Sequence, residues 1–337
     1  MVFYKLCDWV DENKLDNCGL SDNPLAEDYL KSRPEKIIWS VFSKIVKDDK
    51  FLLENFDKIS WHGLSINPYQ VKLLKKHENK INWYYLSLNP NESVITIMEK
   101  NLEKVSWQNI AYNKNPKIIK FLFEHPEYIY KFTWSYLSAN NTDIAVEHLL
   151  KNQDKIDWNE LCINNNDKIA DILLKNIDKI NWYSLSRNNN PKIINFIMNN
   201  PNKIIWSNLC TIDNDEIAKF LIKNSSKINW YFISKNPNNI ICNFLLKNLD
   251  KIDLCNLCRN INPIIINYLS INKNIILNMN WCQLSSNPKI FKLDYKKIKN
   301  NFEPLAEEII KEVMHPKRIN KYLLKNGYDY LEEMFGY

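Results

Sequence analysis

Apolar side chains return along this chain in one fixed frame, and tryptophan sets it. Trp39, Trp61, Trp83, Trp107, Trp134, Trp158, Trp182, Trp206 and Trp230 follow one another at steps of 22, 22, 24, 27, 24, 24, 24 and 24 residues. A further 24 reaches Leu254 and 27 more reaches Trp281, while 22 back from Trp39 lands on Asn17. Two residues before each anchor stands an apolar side chain: Leu15, Ile37, Ile59, Ile81, Val105, Phe132, Ile156, Ile180, Ile204, Ile228, Ile252 and Met279. Three residues after comes another, as at Leu64, Leu86, Leu137, Leu161, Leu185, Leu209 and Leu257, and the next position is small, as at Ser65, Ser87, Ala111, Ser138, Cys162, Ser186, Cys210, Ser234, Cys258 and Ser285. The pattern is a tandem array of about twelve units.

Local signals divide each unit in two. Ser60, Asn82, Ser106, Thr133, Asp157, Asn181 and Asn229 precede their anchors and are residue types that cap helix N-termini, so a short helix is expected to start at each anchor. An "NP" pair then recurs at Asn67, Asn89, Asn115, Asn190, Asn236, Asn262 and Asn287, and reads as a cap followed by proline at the first helical position. A second helix follows, with apolar residues at i, i+3 and i+4: Ile169, Ile172 and Leu173; Ile217, Phe220 and Leu221; Ile241, Phe244 and Leu245.

One such helix–turn–helix cannot bury enough apolar surface to stand alone, so neighbours must stack. The expected fold is all-α: an α-solenoid superhelix of helix-turn-helix repeats of 22–27 residues over 14–290. An N-terminal cap precedes it at 1–13, and a helical C-terminal cap or docking module follows at 291–337. In that stack the tryptophans read as a buried column, and the small position as a close approach between neighbours. Terminal units tend to be atypical because one face meets solvent. The copy at 39–60 has Ile45-Val46 in place of "NP", and the Leu254 copy lacks the tryptophan, which makes a local dent there an expectation. In the tail, Pro304 is expected to open a helix through about Met314, with Ile309, Ile310 and Val313 facing the last repeat. A second helix is expected from Pro316 to near Gly327. A leucine-rich horseshoe has units of similar length, but its L-x-L strand core is missing here.

The recurring "DKINW..LS.NP...I..LL.KN" resembles a repeat family of giant nucleocytoplasmic DNA viruses of amoebae, the mimivirus relatives. The resemblance spans nearly the whole chain, including "LSSNPKIFKLDY" and "FEPLAEEIIKEVMHPKRINKYL" near its end. It implies an origin and almost nothing about activity, since members of that family are functionally uncharacterised. Abundant Asn, Ile and Lys suit an AT-rich genome. The size of the unit is also similar to that of the bacterial leucine-rich variant repeat, an α/3₁₀ superhelix.

Composition narrows the function. Four glycines in 337 residues leave no phosphate loop or dinucleotide fingerprint. Eight cysteines without an export signal read as reduced thiols. Cys255-x-x-Cys258 looks like half a zinc or redox motif, yet its two members fall in columns that other units fill with Cys18 and Cys282 or with Cys162 and Cys210, and no second pair completes a site. His62, His77, His125, His148 and His315 occupy unrelated positions of the repeat, and the cluster His315-Pro316-Lys317-Arg318 reads as a helix junction.

Catalytic, cofactor-binding and metal-binding residues are therefore expected to be none, and the binding residues stay unassigned. No apolar run is long enough for a membrane span and no secretory signal opens the chain, so an intracellular place, host cytoplasm or virion, is expected. Lysines recur three residues before the anchors (Lys14, Lys36, Lys58, Lys80, Lys104, Lys131, Lys155, Lys179, Lys203, Lys227, Lys251) and seven before them (Lys76, Lys100, Lys151, Lys175, Lys223, Lys247). Such stripes suit a phosphate backbone. Asp57, Glu103, Asp154, Asp178 and Asp250 interrupt the first of them, and the net charge is only +6. The expected partner is thus another protein, with nucleic acid or polyanion binding as the alternative.

Overall fold

A short helix begins at nearly every anchor. In the computed structural model, which describes residues 3–272, 280–313 and Arg318 (backbone only for residues 131, 132, 305, 306, 309, 310, 312 and 313), these leading helices include Asn17–Asp22, Trp39–Phe42, Trp61–Ile66, Trp83–Ser87, Trp107–Tyr112, Trp182–Leu185, Trp230–Ile233, Leu254–Leu257 and Trp281–Ser285. Only the sixth starts early, at Lys131, and runs to Ala139. A trailing helix follows in each unit but the last, for example Asp49–Glu54, Val71–Lys76, Pro116–Phe123, Asp143–Lys151 and Asp215–Lys223. A 3₁₀ turn such as Phe56–Lys58 or Gln153–Lys155 leads into most of the next units. The fold is an all-α repeat solenoid.

Side chains account for the starts and stops. The carboxylate or amide oxygen of Asp16, Asn82, Asp157, Asn181, Asn229, Asp253 and Asn280 accepts an early amide of the following leading helix, as a cap does. Ser60 does the same at 3.4 Å. Ser106 makes no such bond, and Thr133 lies inside the early-starting sixth helix. Most trailing helices end on an asparagine whose amide donates back to the carbonyl four residues earlier, as Asn152 does to His148 and Asn224 to Phe220.

The apolar frame forms the core. Leu20, Phe42, Leu64, Leu86, Ile110, Leu137, Leu161, Leu185, Leu209, Ile233, Leu257 and Leu284, one per unit and three residues past each anchor, have no exposed surface. In the trailing helices the i and i+4 residues are buried (Ile169 and Leu173, Ile217 and Leu221, Ile241 and Leu245), with Ala170, Ala218 and Cys242 beside them.

Asparagine joins one unit to the next. Asn67, Asn89, Asn236 and Asn287 belong to the "NP" set, yet none of them caps a trailing α-helix, and only a 3₁₀ turn, Pro288–Ile290, follows Asn287. They stand in one column with Asn113, Asn140, Asn164, Asn188 and Asn260. Each donates its side-chain amide to two backbone carbonyls of the preceding unit at 2.8–3.2 Å, as Asn89 does to Ser65 and Asn67. The oxygen of each accepts the amide two residues on, as Asn67 accepts from Tyr69 at 2.9 Å. Pairing both ends of a buried amide offsets its desolvation, and the bonds fix the spacing of the stack. The capping role belongs to a second column, two residues later: Asn115, Asn190 and Asn262, with Pro116, Pro191 and Pro263 at the first helical position.

The small column forms a second set of bonds. Ser43, Ser65, Ser87, Ser138, Ser186 and Ser234 are buried, and the hydroxyl of each accepts the backbone amide just before the next anchor at 2.9–3.1 Å. Cys162 substitutes its sulfur at 3.4 Å. Ala111 offers no acceptor, and it is the following helix that starts early at Lys131.

These bonds run in a closed circuit. Asn23, in the first unit, donates to Ser285 O and Asn287 O of the twelfth, both at 2.9 Å. Ser285 Oγ accepts Asp16 N at 2.8 Å, and the Lys14 ammonium lies 5.6 Å from the centre of the Trp281 ring. The first leading helix therefore packs on both the second and the last, so the first and last units meet each other rather than solvent. Gly19 makes this possible: a Cβ there would lie 2.5 Å from Cys282 O and 2.8 Å from Ser285 Cβ. The Leu254 unit keeps its place, with Asp253 N bonded to Ser234 and Asn287 bonded to Cys258 O, so the chain of bonds is not broken there.

The chain divides into two bodies, Asp8–Ile290 and the two ends, Met1–Cys7 with Phe291–Tyr337. The first holds all the repeats, and the segment expected as a 1–13 cap is split between the two. In the second body, β1 (Tyr4–Leu6) pairs antiparallel with β2 (Phe291–Leu293), Tyr4 opposite Leu293. The helix Tyr295–Val313 follows, its first turn capped by Asp294 through Lys297 N at 3.1 Å. Pro304 lies inside this helix instead of opening it. The side chains of Ile309, Ile310 and Val313, and the helix expected over 316–327, lie outside the described residues, as does Met279.

Candidate interaction face

Each anchor tryptophan except Trp134, which lies inside the early-starting helix Lys131–Ala139, stands at the first residue of its leading helix. Nine of the ten anchor tryptophans are half-buried; Trp107 alone is fully buried. The column is thus not the sealed core expected from its period. One ring face meets an aromatic residue of the trailing helix: Phe51 on Trp39, Phe121 on Trp107, Phe196 on Trp182, Phe220 on Trp206 and Phe244 on Trp230, with centroids 5.4–5.9 Å apart. Lysine from the next unit covers the indole: Lys80, Lys104, Lys179, Lys203, Lys227 and Lys251 lie 4.5–5.6 Å from the rings of Trp61, Trp83, Trp158, Trp182, Trp206 and Trp230.

The lysine column therefore has a structural task, a cation over an aromatic face. These ammonium groups are still exposed, and so are Lys76, Lys100, Lys151, Lys175, Lys223 and Lys247 seven residues before the anchors. The interleaved Asp57, Glu103, Asp154, Asp178 and Asp250 are exposed as well.

The cysteines and histidines fall into the packing scheme. Cys162, Cys210, Cys242 and Cys258 are buried, and burial pushes their thiols up, to about 11 for Cys242 and Cys258. A raised thiol pKa makes a poor nucleophile. Cys255 receives the Asn280 amide at 3.3 Å instead of pairing with Cys258. Three histidines are not in unrelated positions. His77 and His125 stand where other units carry the asparagine that ends the trailing helix, and the His125 ring bonds Phe121 O at 2.9 Å. His148 takes the phenylalanine place, stacked 5.4 Å from Trp134 and 3.9 Å from Phe123. Of the cluster at 315–318 only Arg318 is described. Among the described residues no three His, Cys, Asp or Glu side chains gather as metal ligands, and no helix is long and apolar enough to cross a membrane.

Unassigned surface of a different kind lies on the leading helices. Tyr84, Tyr183 and Tyr231 each directly follow an anchor and are 57%, 54% and 52% exposed; Tyr112 and Tyr136 on two further leading helices are 51% and 40% exposed. Buried asparagines hold two of them in place: Asn109 donates to Tyr84 O at 2.9 Å and Asn208 to Tyr183 O at 2.8 Å. The Tyr112 and Tyr136 rings meet edge to face at 6.1 Å across two units. Cations accompany them near the helix ends. Arg187 donates to Tyr183 Oη at 2.9 Å, Lys235 lies 5.8 Å from the Phe232 ring, and Lys44 and Arg259 occupy the equivalent position of their own units. Acids on these helices are few, Asp22 and Glu160 among them.

The sequence did carry a signal for this face, the tyrosine repeated just after the anchor in "WYYLS", "WYSLS" and "WYFIS". No protein-family model matches this chain, and neither does a curated protein or a solved structure.

Proposed function

We propose that the protein is a non-enzymatic repeat scaffold that binds another protein, of acidic character, through the tyrosine-bearing face of its leading helices. One observation carries this reading: five exposed tyrosines stand on the leading helices of five units, Arg187 and Lys235 follow the ends of two of those helices, and Lys44 and Arg259 follow the ends of two others. Tyrosine offers a large rigid apolar surface with a polar tip at low entropic cost, which is why it is enriched where proteins meet. Surrounding cations add steering and selectivity for an acidic partner. The inert buried thiols and the structural use of His77, His125 and His148 support a scaffold over a catalyst. The resemblance to giant-virus repeats makes an infected amoeba the cell in which to look.

The test is quantitative co-purification from such cells with the parent protein and with a Tyr84→Ser/Tyr183→Ser/Tyr231→Ser variant. A protein retained by the parent and lost from the variant is the expected result; identical retention by both would overturn it. Polyanion binding is the second reading, favoured by the exposed lysines that recur over the tryptophan rings. Recovery of nucleic acid alone, released at moderate salt, would establish that reading in its place.

A further inference from the structure

A groove on the trailing layer has a different chemistry from the tyrosine face. It lies between the helices Asp49–Glu54 and Val71–Lys76 and encloses about 360 Å³, within the range of small binding sites. Its floor is apolar: Leu53, 59% exposed despite its type, and Leu73, beside the buried Gln70. Its rim carries Lys72, Lys75 and Lys76, all exposed, against a single acid, Asp49.

Elsewhere on the trailing layer lysines pair with acids of the neighbouring unit: Lys117 with Glu92 at 2.7 Å, Lys168 with Glu147 at 3.7 Å and Lys192 with Asp171 at 2.6 Å. The three lysines of the groove make no ion pair among the described residues. The trailing helices here are also shorter than those later in the chain, six residues each against nine in Asp167–Lys175.

We infer that this groove docks an acidic linear peptide segment that inserts an aliphatic side chain against Leu53 and Leu73 and places carboxylates on Lys72, Lys75 and Lys76. The four steps from Lys72 to Lys76 advance about 6 Å along a helix. That spread suits two or more carboxylates on one chain better than the single carboxylate of a fatty acid. The inference does not depend on the tyrosine face, because it uses other residues on other helices.

The probe is a fluorescein-labelled peptide with two leucines flanked on each side by two glutamates, titrated with the full chain and read by anisotropy at low salt. Saturable binding is expected, weakened tenfold or more by Leu53→Asp and by Lys75→Glu. Both positions are exposed, and an unchanged circular dichroism spectrum would show that the variants fold. Lys219→Glu, on the distant trailing helix Asp215–Lys223, makes the same charge change and is expected to leave affinity within twofold.

Equal loss from Lys219→Glu would show a response to net charge alone and overturn the inference. An all-glutamate peptide that binds as well as the probe would do the same, as would no saturation up to about 1 mM, a dissociation constant worth only ~4 kcal/mol. Dodecanoate that binds while the peptide does not would assign the groove to a fatty acid instead.

Discussion

Asn23 and Asn287 lie 264 positions apart, and the side-chain amide of the first donates to the backbone carbonyl of the second at 2.9 Å. It is the same bond that every other rung of this ladder makes between adjacent units. Its presence here shows that the twelfth unit treats the first as its successor. Removing the amide in Asn23→Ala leaves two buried carbonyls without a donor, at a cost of about 2–4 kcal/mol. Gly19→Ala should open the same junction sterically, since its Cβ would press on a backbone oxygen at 2.5 Å. Gly63→Ala, whose Cβ would meet Ser43 Cβ at 3.0 Å, is the milder control. Hydrogen exchange is the measurement. In the first two variants the amides of Leu20 and Leu284 should lose protection well before that of Leu161, and loss of equal size at all three would refute closure.

Two junctions lack the asparagine rung. In the second unit the frame position is Ile45, and the next residue, Val46, supplies the carbonyl that Asn67 reaches; in the ninth unit Ile212 stands in the asparagine's place, and Val46 and Ile212 are both buried. An apolar residue there gives up two hydrogen bonds but gains aliphatic burial, and the two effects are of similar size. Ile212→Asn should therefore stay within about 1 kcal/mol of the parent in urea unfolding. Asn164→Leu, in a unit built around the amide, should cost about 2–4 kcal/mol by orphaning Ser138 O and Asn140 O. Equal effects of the two changes would mean that the ladder does not set the spacing.

The helices, their order and the buried leucine column are legible in the sequence because each is a local or periodic property. The ladder was only half legible. Asn67 and Asn115 both precede proline, and nothing local tells a residue that reaches back 24 positions to Ser43 from one that caps the helix after it. Closure was illegible for a deeper reason: periodicity gives the contact between neighbours, not the number of units that completes a turn. Gly19 is its one trace in the sequence. The exposed edge of the tryptophans is set by the lysine of the next unit, a contact between units that their spacing alone does not reveal. The pairing of Tyr4–Leu6 with Phe291–Leu293 involves strands too short to show alternation, and Asp294 rather than Pro304 starts the tail helix because the capping oxygen and the strand end coincide there.

The serine column makes a prediction about size and chemistry together. Ser138 Oγ accepts Asp157 N at 3.0 Å and donates to Trp134 O at 2.8 Å, with no surface exposed. Ser138→Cys should cost under about 1 kcal/mol, because Cys162 already does this work, whereas Ser138→Ala orphans the Asp157 amide and should cost about 1–3 kcal/mol. Ser138→Leu overfills the junction and should cost at least as much again. Chemical denaturation of the three variants checks the order, and leucine tolerated better than alanine would show that the column is not a close approach.

His148 offers a handle on pH. Burial between Phe123 and Trp134, and then the charge of Lys151, hold its imidazole below the usual histidine range. A lowered folded-state value means that the unfolded chain binds the proton first. Stability that is fully present above the unfolded value of about 6.5 is then lost as pH falls toward the folded one. Phenylalanine occupies this position at Phe121, Phe196, Phe220 and Phe244, so His148→Phe should keep the stack and remove the titration. Unfolding midpoints measured from pH 7.5 to 5.5 should fall for the parent and fall less for the variant, with the difference opening below about 6.5. The carboxylates of Glu12 and Asp48 do not blur this window. Glu12 is held below its ordinary value chiefly by the Tyr29 hydroxyl and Asp48 by the Phe51 amide, so both protonate at lower pH. Parallel slopes for parent and variant would show that the imidazole is as easily protonated in the fold as out of it.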